Sequence, residues 1–513
     1  MTTAIFAALA AWITAMIAVP PTIRLALARN LVDAPDECRR IHLRAVPRLG
    51  GVAVCLGAMV GVGVLAAAGT LPASGSIGGE PLVGLLAGSV VMLVVGLVDD
   101  LRGIRPIEKL AGQLIAAIVV VTGGFRIDML ILTPGIEFSL GWASLPLTVF
   151  WLVGVINAFN LIDGLDGLAS GVALVALGAI AIAAGVLHHA LALALVLILA
   201  GALIGFLRHN VSPARIFLGD VGSLSVGLAL AVLSVEGARD AQGAVYMAVP
   251  IFALAFPLLD TSVSMLRRWL RGVPLSCADG RHVHHQLVAL GLSHTRAAVV
   301  ICAFSAGVAL FGLSISFAPP ALTLAVGGLG GFVLVLVAVH GVKLLHYHEL
   351  SEMQASFASG LRKARSVIKD RIHARDLEFR LRRANTLTEI EALLGQYSAI
   401  FGFEAMVLCR TDDPPLAIMR DARRCVLRMD RPVHYVAGAL TDEIVLRVYW
   451  SEDARAHPVY AERIVRMIAP ALESAMAVSP HAVGVEFGTA GSAFEAAVVP
   501  AARPRRSASV SIR

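Results

Sequence analysis

The stretch "NAFNLIDGLDGLASG", Asn157 to Gly171, sets Asn157, Asn160, Asp163 and Asp166 at three-residue spacing between runs of almost pure Ala, Leu, Val and Ile. Three more polar stretches border similar runs: "GLVDDLRGIRPIEK" with Asp99, Asp100 and Lys109, "RIFLGDVGS" with Arg215, Asp220 and Ser223, and "DGRHVHHQL" with Arg281, His282, His284 and His285. An acid at the end of an apolar segment is costly unless it is paired, hydrated or metal-bound, so a set of them is a functional hypothesis. Carboxylate and amide oxygens suit a hard divalent cation, and Mg²⁺ commonly shares its shell with substrate phosphates. Arginine, lysine and imidazole suit the phosphate oxygens themselves. A metal, basic groups on phosphate oxygens and a group that prepares a nucleophile are what phosphoryl transfer requires.

Each stretch also has a plainer reading. Asp99 and Asp100 could cap a span or pair with Arg102 and Arg105, Asp220 could be a simple N-cap, and "RHVHH" could be a surface cluster or an adventitious transition-metal site. The acids of the first stretch could be solvated in a glycine hinge. Its spacing says more: a three-residue step drifts by about 60° on an α-helix, so one continuous helix would carry Asn157 and Asp166 to opposite sides. Gly164 and Gly167 permit a break. Asn157 and Asn160 are therefore expected on the last turn of one span, and Asp163 and Asp166 at the turn into the next.

The elements that position these residues are set by composition. The chain of 513 residues is 57% hydrophobic and only 15% charged, far too apolar for a soluble protein of this length. Segments of roughly 17 to 25 apolar residues are long enough to cross a bilayer. Candidates lie at 4–26, 49–69, 81–98, 107–123, 143–159, 167–187, 189–207, 221–236, 243–261, 297–317 and 320–345, about eleven spans. The expected fold class is an all-α polytopic membrane protein, since continuous apolar runs argue against a β-barrel. The first run has no basic residue before it and several after it, which reads as a span with its N-terminus outside rather than a signal peptide. Basic residues then collect in alternate loops: Arg29, Arg39, Arg40, Arg44 and Arg48 in the first, Arg102, Arg105 and Lys109 in the third, Arg208 and Arg215 in the seventh, and Arg267, Arg268, Arg271, Arg281 and Arg296 in the ninth. The intervening loops hold only Arg126 and Arg239. The positive-inside rule puts the basic loops, and with them all four polar stretches, on the cytoplasmic face.

From about residue 346 the composition changes. Residues 1–345 form the membrane part, 346–395 a charged helical linker, 396–487 a small soluble α/β domain on the cytoplasmic side, and 488–513 a disordered basic tail that could touch anionic lipid. The soluble part reads as strands "FEAMVLCR", "RCVLRMD" and "DEIVLRVYW" and a helix "YAERIVRMIAPALESAMA". The charged helix could pair protomers into a homodimer. Cys38, Cys55, Cys277, Cys302, Cys409 and Cys425 form no C-x-x-C pair, so neither disulfides nor a zinc site is expected. No internal repeat suggests a transporter built from two halves.

In wording and order, "LVDAPDECRRIHLRAVPRLGG", "GLVDDLRGIRPIEKLAGQ", "NAFNLIDGLDGLASG", "RIFLGDVGS" and "RHVHHQL" resemble the polyprenyl-phosphate N-acetylhexosamine-1-phosphate transferases. The likeness runs over about residues 1 to 345. It implies an enzyme of the bacterial inner membrane that moves a sugar-1-phosphate from a UDP-N-acetylhexosamine to undecaprenyl phosphate, releases UMP and starts a cell-envelope polysaccharide. Mg²⁺, or Mn²⁺ in its place, is implied as cofactor, with membrane lipid and no nucleic acid among the partners. Carried onto this chain, the resemblance makes Asp99 the base that keeps the lipid phosphate ionised, supported by Asp100. Asp220 becomes a metal ligand with the Asn160 amide oxygen beside it, and Lys109 a phosphate holder. Asp163 and Asp166 become nucleotide-side acids, and His282, His284 and His285 the donor-phosphate and sugar loop. Arg48, Arg215, Arg281 and Asn157 are further candidates for binding substrate. "RHVHH" resembles the branch that uses UDP-GlcNAc, whereas the muramyl-pentapeptide branch shows a run of three histidines after a proline. The closing strand and helix of the soluble part look like the end of a GAF-type sensory domain. A phospho-MurNAc-pentapeptide transferase and a proton-coupled transporter are the alternatives, the latter lacking any acid or base relay across the spans.

Overall fold

The computed structural model describes residues 1–29, 31–33, 46–71, 79–133, 136–271, 282–319, 321–322, 325, 327–328, 330–331, 361–384, 386–403, 405–410, 426–433, 444–451 and 458–478. The chain divides into two compact units, one formed by Met1–Trp269 with Pro274–His346 and the other by Leu270–Val273 with Tyr347–Arg513.

The first unit is a helix bundle. Its helices are α1 (Thr2–Ala28), α2 (Gly50–Ala67), α3 (Gly79–Arg102), α4 (Pro106–Thr122), α5 (Ser144–Ile162), α6 (Leu168–Val186), α7 (Ala190–Asn210), α8 (Gly219–Glu236), α9 (Ala248–Ala253), α10 (Ala255–Arg271), α11 (Val283–Ala289) and α12 (His294–Phe317). Among the described residues eight helices are long and apolar enough to cross a membrane: α1, α2, α3, α5, α6, α7, α8 and α12. This is a multi-pass membrane protein, with fewer such helices than the eleven spans expected. The segment at 107–123 is helical as α4, whose 17 residues stand at the lower limit for a span. The segment at 243–261 is not one span, because β5 (Ala244–Tyr246), α9 and the start of α10 divide it. Most of 320–345 lies outside the described residues.

The helix α8 is the centre of the bundle, with Val221 to Val235 almost wholly buried, packed against α2, α3, α5 and α6. Small residues let the backbones meet. A Cβ on Gly51 of α2 would stand 2.0 Å from the Gly222 nitrogen, the close approach that glycine permits at membrane helix crossings. Val32–Asp33 (β1) pairs antiparallel with Val46–Pro47 (β2), and at one end of the bundle β3 (Met129–Thr133) pairs antiparallel with β4 (Ile136–Ser139) and parallel with β5. Arg239 ties this end together by donating to the carbonyls of Arg126 and Gly243 and to Glu236.

The second unit holds helices Leu361–Leu381, Leu387–Phe401 and Pro458–Val478 and a sheet ordered β6-β8-β7, all antiparallel, from Ala405–Arg410, Ile444–Ser451 and Val426–Val433. Leu377, Leu381, Leu394, Phe401, Leu446, Val448, Ile468 and Leu472 share its core. The three strands and the last helix fall on the expected segments. The basic tail, 488–513, lies outside the described residues.

Candidate functional site

The site lies at the end of the bundle away from the β3-β4-β5 sheet, where α3 ends and α4 and α8 begin. Asp99 stands in the last turn of α3, with Oδ1 accepting the Ile104 N–H at 2.9 Å. Its other oxygen is 2.9 Å from the Lys109 ammonium, which sits in the first turn of α4 and also reaches Asp220 Oδ1 at 2.5 Å. Asn160, in the last turn of α5, donates to that same Asp220 oxygen at 2.6 Å and to Ser223 Oγ at 2.7 Å. Four helices thus deliver one ammonium, two carboxylates and one carboxamide to a common point. Asp99 does not pair with Arg102 or Arg105 as the plainer reading allowed. Arg105 is engaged with Glu108, whose carboxylate accepts the Arg105 backbone N–H at 3.0 Å and pairs with its guanidinium at the start of α4.

Asp100, one residue on, faces another way because successive residues point about 100° apart around a helix. Its two oxygens accept the backbone N–H groups of Asp220 and Val221, each at 3.0 Å. It therefore caps the N-terminus of α8 from a neighbouring helix, where an anion is favoured by the unsatisfied amides. The approach depends on Gly219, whose φ of +73° suits glycine and whose Cβ would lie 1.8 Å from the Arg48 carbonyl oxygen. Residues 47 to 51 run beside 217 and 218: Pro47 accepts the Phe217 N–H, and Phe217 and Leu218 accept those of Gly50 and Gly51. Arg48 is thereby placed beside the first turn of α8.

The first stretch divides as its spacing requires. The helix α5 ends at Ile162, α6 begins at Leu168, and Gly167 takes φ +71°. Asp163 is half-buried in the turn between them, and its carboxyl is pushed up to about 7 by loss of solvation and then by the charges of Asp220 and Asp100. Asp166 is buried, with Oδ2 accepting the Ala214 N–H at 3.1 Å. Buried Asn210 works beside it, accepting the Gly167 N–H and donating to the Ile216 carbonyl. Together they fasten the loop that leads into α8. Asn157 is turned to α4, where it and the fully buried Gln113 exchange hydrogen bonds at 2.6 and 3.2 Å. That pairing joins α4 to α5 one turn below Lys109. Arg215 is exposed, its N–H bonded to the His209 carbonyl.

The histidines meet the acidic turn from the other side. His284 is 1% exposed, and among the described residues neither of its ring nitrogens is hydrogen-bonded. A Cβ on Gly164 would stand 2.6 Å from its Nε2. Burial, and then the neighbouring His285, drive its pKa down to about 3, so the ring stays neutral. His282 stacks on it with centroids 5.6 Å apart, and His285 lies at 4.2 Å. Nδ1 of His282 is 2.7 Å from Asp260 Oδ2, and the other Asp260 oxygen accepts the Val283 N–H at 2.9 Å. Arg281 lies outside the described residues.

Sequence reasoning missed Asp260, Gln113, Asn210 and the capping role of Asp100. Asp260 was detectable as an acid inside "AFPLLDTSVSM", where an ionisable residue in an apolar segment is a functional hypothesis by itself. Gln113 and Asn210 gave no such signal.

Among the described residues no three His, Cys, Asp or Glu side chains gather as a metal cage. The donor set still fits Mg²⁺, which is held by one or two carboxylates and completes its shell with water and phosphate oxygens. Asp220, with Asn160 against it and Asp163 raised by burial and then by its charge, is where such a cation would relieve like-charge repulsion.

Comparison with known proteins bears directly on this end of the bundle. Residues 82–238, which hold Asp99, Lys109, Asn160, Asp163 and Asp220, match the family described as Glycosyl transferase family 4. A Bacillus subtilis (strain 168) protein named probable undecaprenyl-phosphate N-acetylglucosaminyl 1-phosphate transferase is 36% identical over 290 residues, 56% of this chain and 78% of that protein. The decaprenyl-phosphate N-acetylglucosaminephosphotransferase of Mycobacterium tuberculosis (strain ATCC 25618 / H37Rv) is 35% identical over 354 residues, 64% of this chain and 86% of the relative. The phospho-N-acetylmuramoyl-pentapeptide-transferase of Bacillus mycoides (strain KBAB4) is 34% identical over 214 residues, 39% of this chain and 64% of its own length. With more than three quarters of its first two relatives' length covered at over a third identity, the chain belongs to glycosyl transferase family 4, the polyprenyl-phosphate N-acetylhexosamine-1-phosphate transferases that its motifs resemble.

Proposed function

We propose that this protein transfers GlcNAc-1-phosphate from UDP-GlcNAc to undecaprenyl phosphate, releases UMP and so initiates a cell-envelope polysaccharide. The observation that carries the reading is the convergence of Asp99, Lys109, Asn160 and Asp220 on one point, within the segment that matches the family. A deprotonated oxygen of the lipid phosphate attacks the sugar-bearing phosphorus of the donor. A new P–O bond forms, the bond to the bridging oxygen breaks, and that oxygen leaves with its electron pair as UMP. Asp99 keeps the attacking phosphate ionised by accepting its proton, and Lys109 holds the phosphate oxygens close to it. Asp100 keeps α8 in place through the amides of Asp220 and Val221. Asp166 fixes the loop before α8, Asp163 faces the nucleotide side, and the histidines with Arg48, Arg215 and Arg281 bind the donor. Mg²⁺, held by Asp220 with Asn160, would supply charge neutralisation of the diphosphate.

GlcNAc is favoured because the two N-acetylglucosamine relatives are matched over 78% and 86% of their lengths and the muramoyl-pentapeptide relative over 64%. The arginine distribution supports an active site, and a C-terminal unit, on the cytoplasmic side of the inner membrane. A transfer assay that follows the sugar label of UDP-GlcNAc into lipid, with release of UMP, tests the reading. Failure of label to enter lipid under any divalent cation would overturn it.

The second unit, whose antiparallel strands and flanking helices are compatible with a GAF-type module, is assigned a regulatory role. Every residue given a part in the chemistry precedes 286. Truncation after residue 348 is expected to leave transfer activity within about tenfold of full length, a barrier change of about 1.4 kcal/mol at most, and to alter its response to cytosolic signals. A correctly inserted truncation that is wholly inactive, with activity restored by adding the soluble part in trans, would assign that part to the active site.

A further inference from the structure

We infer that Asp260 is a positioning residue of the donor-binding loop, acting through His282. The inference rests on the function proposed above, and its geometric half can be tested without it. Asp260 lies on α10, 3% exposed, and both its oxygens are committed to consecutive residues at the start of α11: Oδ2 to Nδ1 of His282 at 2.7 Å, Oδ1 to the Val283 N–H at 2.9 Å. One carboxylate thus holds a side chain and the adjoining backbone at once. An ionised carboxylate can only accept, so the hydrogen of His282 must be on Nδ1. Nε2 is then the one ring nitrogen of His282 that can address a ligand, as in other sites where a carboxylate selects the histidine tautomer.

Packing carries the constraint further. His282 is 5% exposed and lies nearly parallel to His284, at an interplanar angle of 7°. His284 in turn backs onto Gly164, next to Asp163. A rotation of His282 would therefore be felt at the turn between α5 and α6. The acid itself sits where an unpaired charge would be expensive, which explains why both its oxygens are engaged.

Asp260→Asn keeps the volume but lets an amide donate to Nδ1, so it frees the tautomer without opening a cavity. Removing the partner that orients a functional histidine typically costs about 10- to 100-fold. In the full-length protein, Asp260→Asn is expected to lower kcat/KM for UDP-GlcNAc by that much, with Asp260→Glu recovering part of the loss. In a His282→Gln background the same substitution is expected to change the rate less than about twofold, because residues acting as a unit are non-additive. A full penalty in that background, or an unchanged kcat/KM in the single variant, would overturn the role. Nitrogen NMR of histidine-labelled protein gives the independent check. The His282 signal, identified by its loss in His282→Gln, is expected to show a protonated Nδ1 in the wild type and a mixed tautomer in Asp260→Asn. Identical signals in the two would overturn the proposal whatever the enzyme transfers, whereas an inactive wild type with the expected signals would count against the transfer reading alone.

Discussion

Asp220→Asn is expected to lower sugar-1-phosphate transfer by at least about 10²-fold, the scale on which a positioned charge stabiliser acts. The substitution is nearly isosteric, and the hydrogen bond that fixes the start of α8 uses the Asp220 backbone, which donates to Asp100. The fold should survive and the charge alone be lost. That charge receives the Lys109 ammonium and the Asn160 amide on a single oxygen, and it is the first group to which Mg²⁺ is assigned. EDTA should therefore stop the wild-type enzyme and added Mg²⁺ or Mn²⁺ restore it, since hard oxygen donors accept either ion. The variant should need more Mg²⁺ for half-maximal rate. Turnover near the wild-type value, with an unchanged Mg²⁺ requirement and an unchanged melting midpoint in detergent, would remove Asp220 from the metal site.

The helices α1 to α8 were legible because each is a continuous apolar run bounded by charge or glycine. The break after Ile162 was legible because a three-residue polar spacing cannot stay on one helix face. The segment at 243–261 misled because apolarity does not distinguish a buried strand, a short helix and the start of another from one long helix. Pro257 forces the issue: it brings no N–H to the ladder and its ring crowds the carbonyl four residues back, at Ala253, where α9 ends. Within the site, sequence supplied the residue types but not how they share the work. Asp99 and Asp100 are neighbours of the same type, and only the orientation of α3 against α4 and α8 gives one to Lys109 and the other to backbone amides. Asn157 and Asn160 differ in the same way, since one turn of helix aims the first at Gln113 and the second at Asp220. Asp260 was passed over because its partner lies 22 residues away in sequence, and contacts of that kind leave no periodic trace.

Lys109→Met is expected to be as damaging as the loss of Asp220, for the opposite reason. The ammonium stands between Asp99 and Asp220, within hydrogen-bond reach of both, and only 17% of its side chain is exposed. Two unit charges about 4 Å apart interact by about 4 kcal/mol at an effective dielectric constant of about 20, the order of the repulsion between two carboxylates that share one ammonium. Removing the cation between them leaves that repulsion uncompensated until Mg²⁺ or a phosphate partner arrives. Two results should follow. Transfer should fall by at least about 10²-fold, and Lys109→Arg should not restore it fully, because a planar guanidinium cannot place one compact charge between the two carboxylates. In EDTA the melting midpoint of Lys109→Met should also lie below that of the wild type, with the gap closing as Mg²⁺ is added, since an ion that binds only the folded state stabilises it. Loss of activity without any EDTA-dependent difference in melting would mean that Lys109 serves substrate phosphate but does not neutralise the acids. Wild-type activity in Lys109→Met would remove Lys109 from the site altogether, and with it the link from α4 to Asp99 and Asp220 at this end of the bundle.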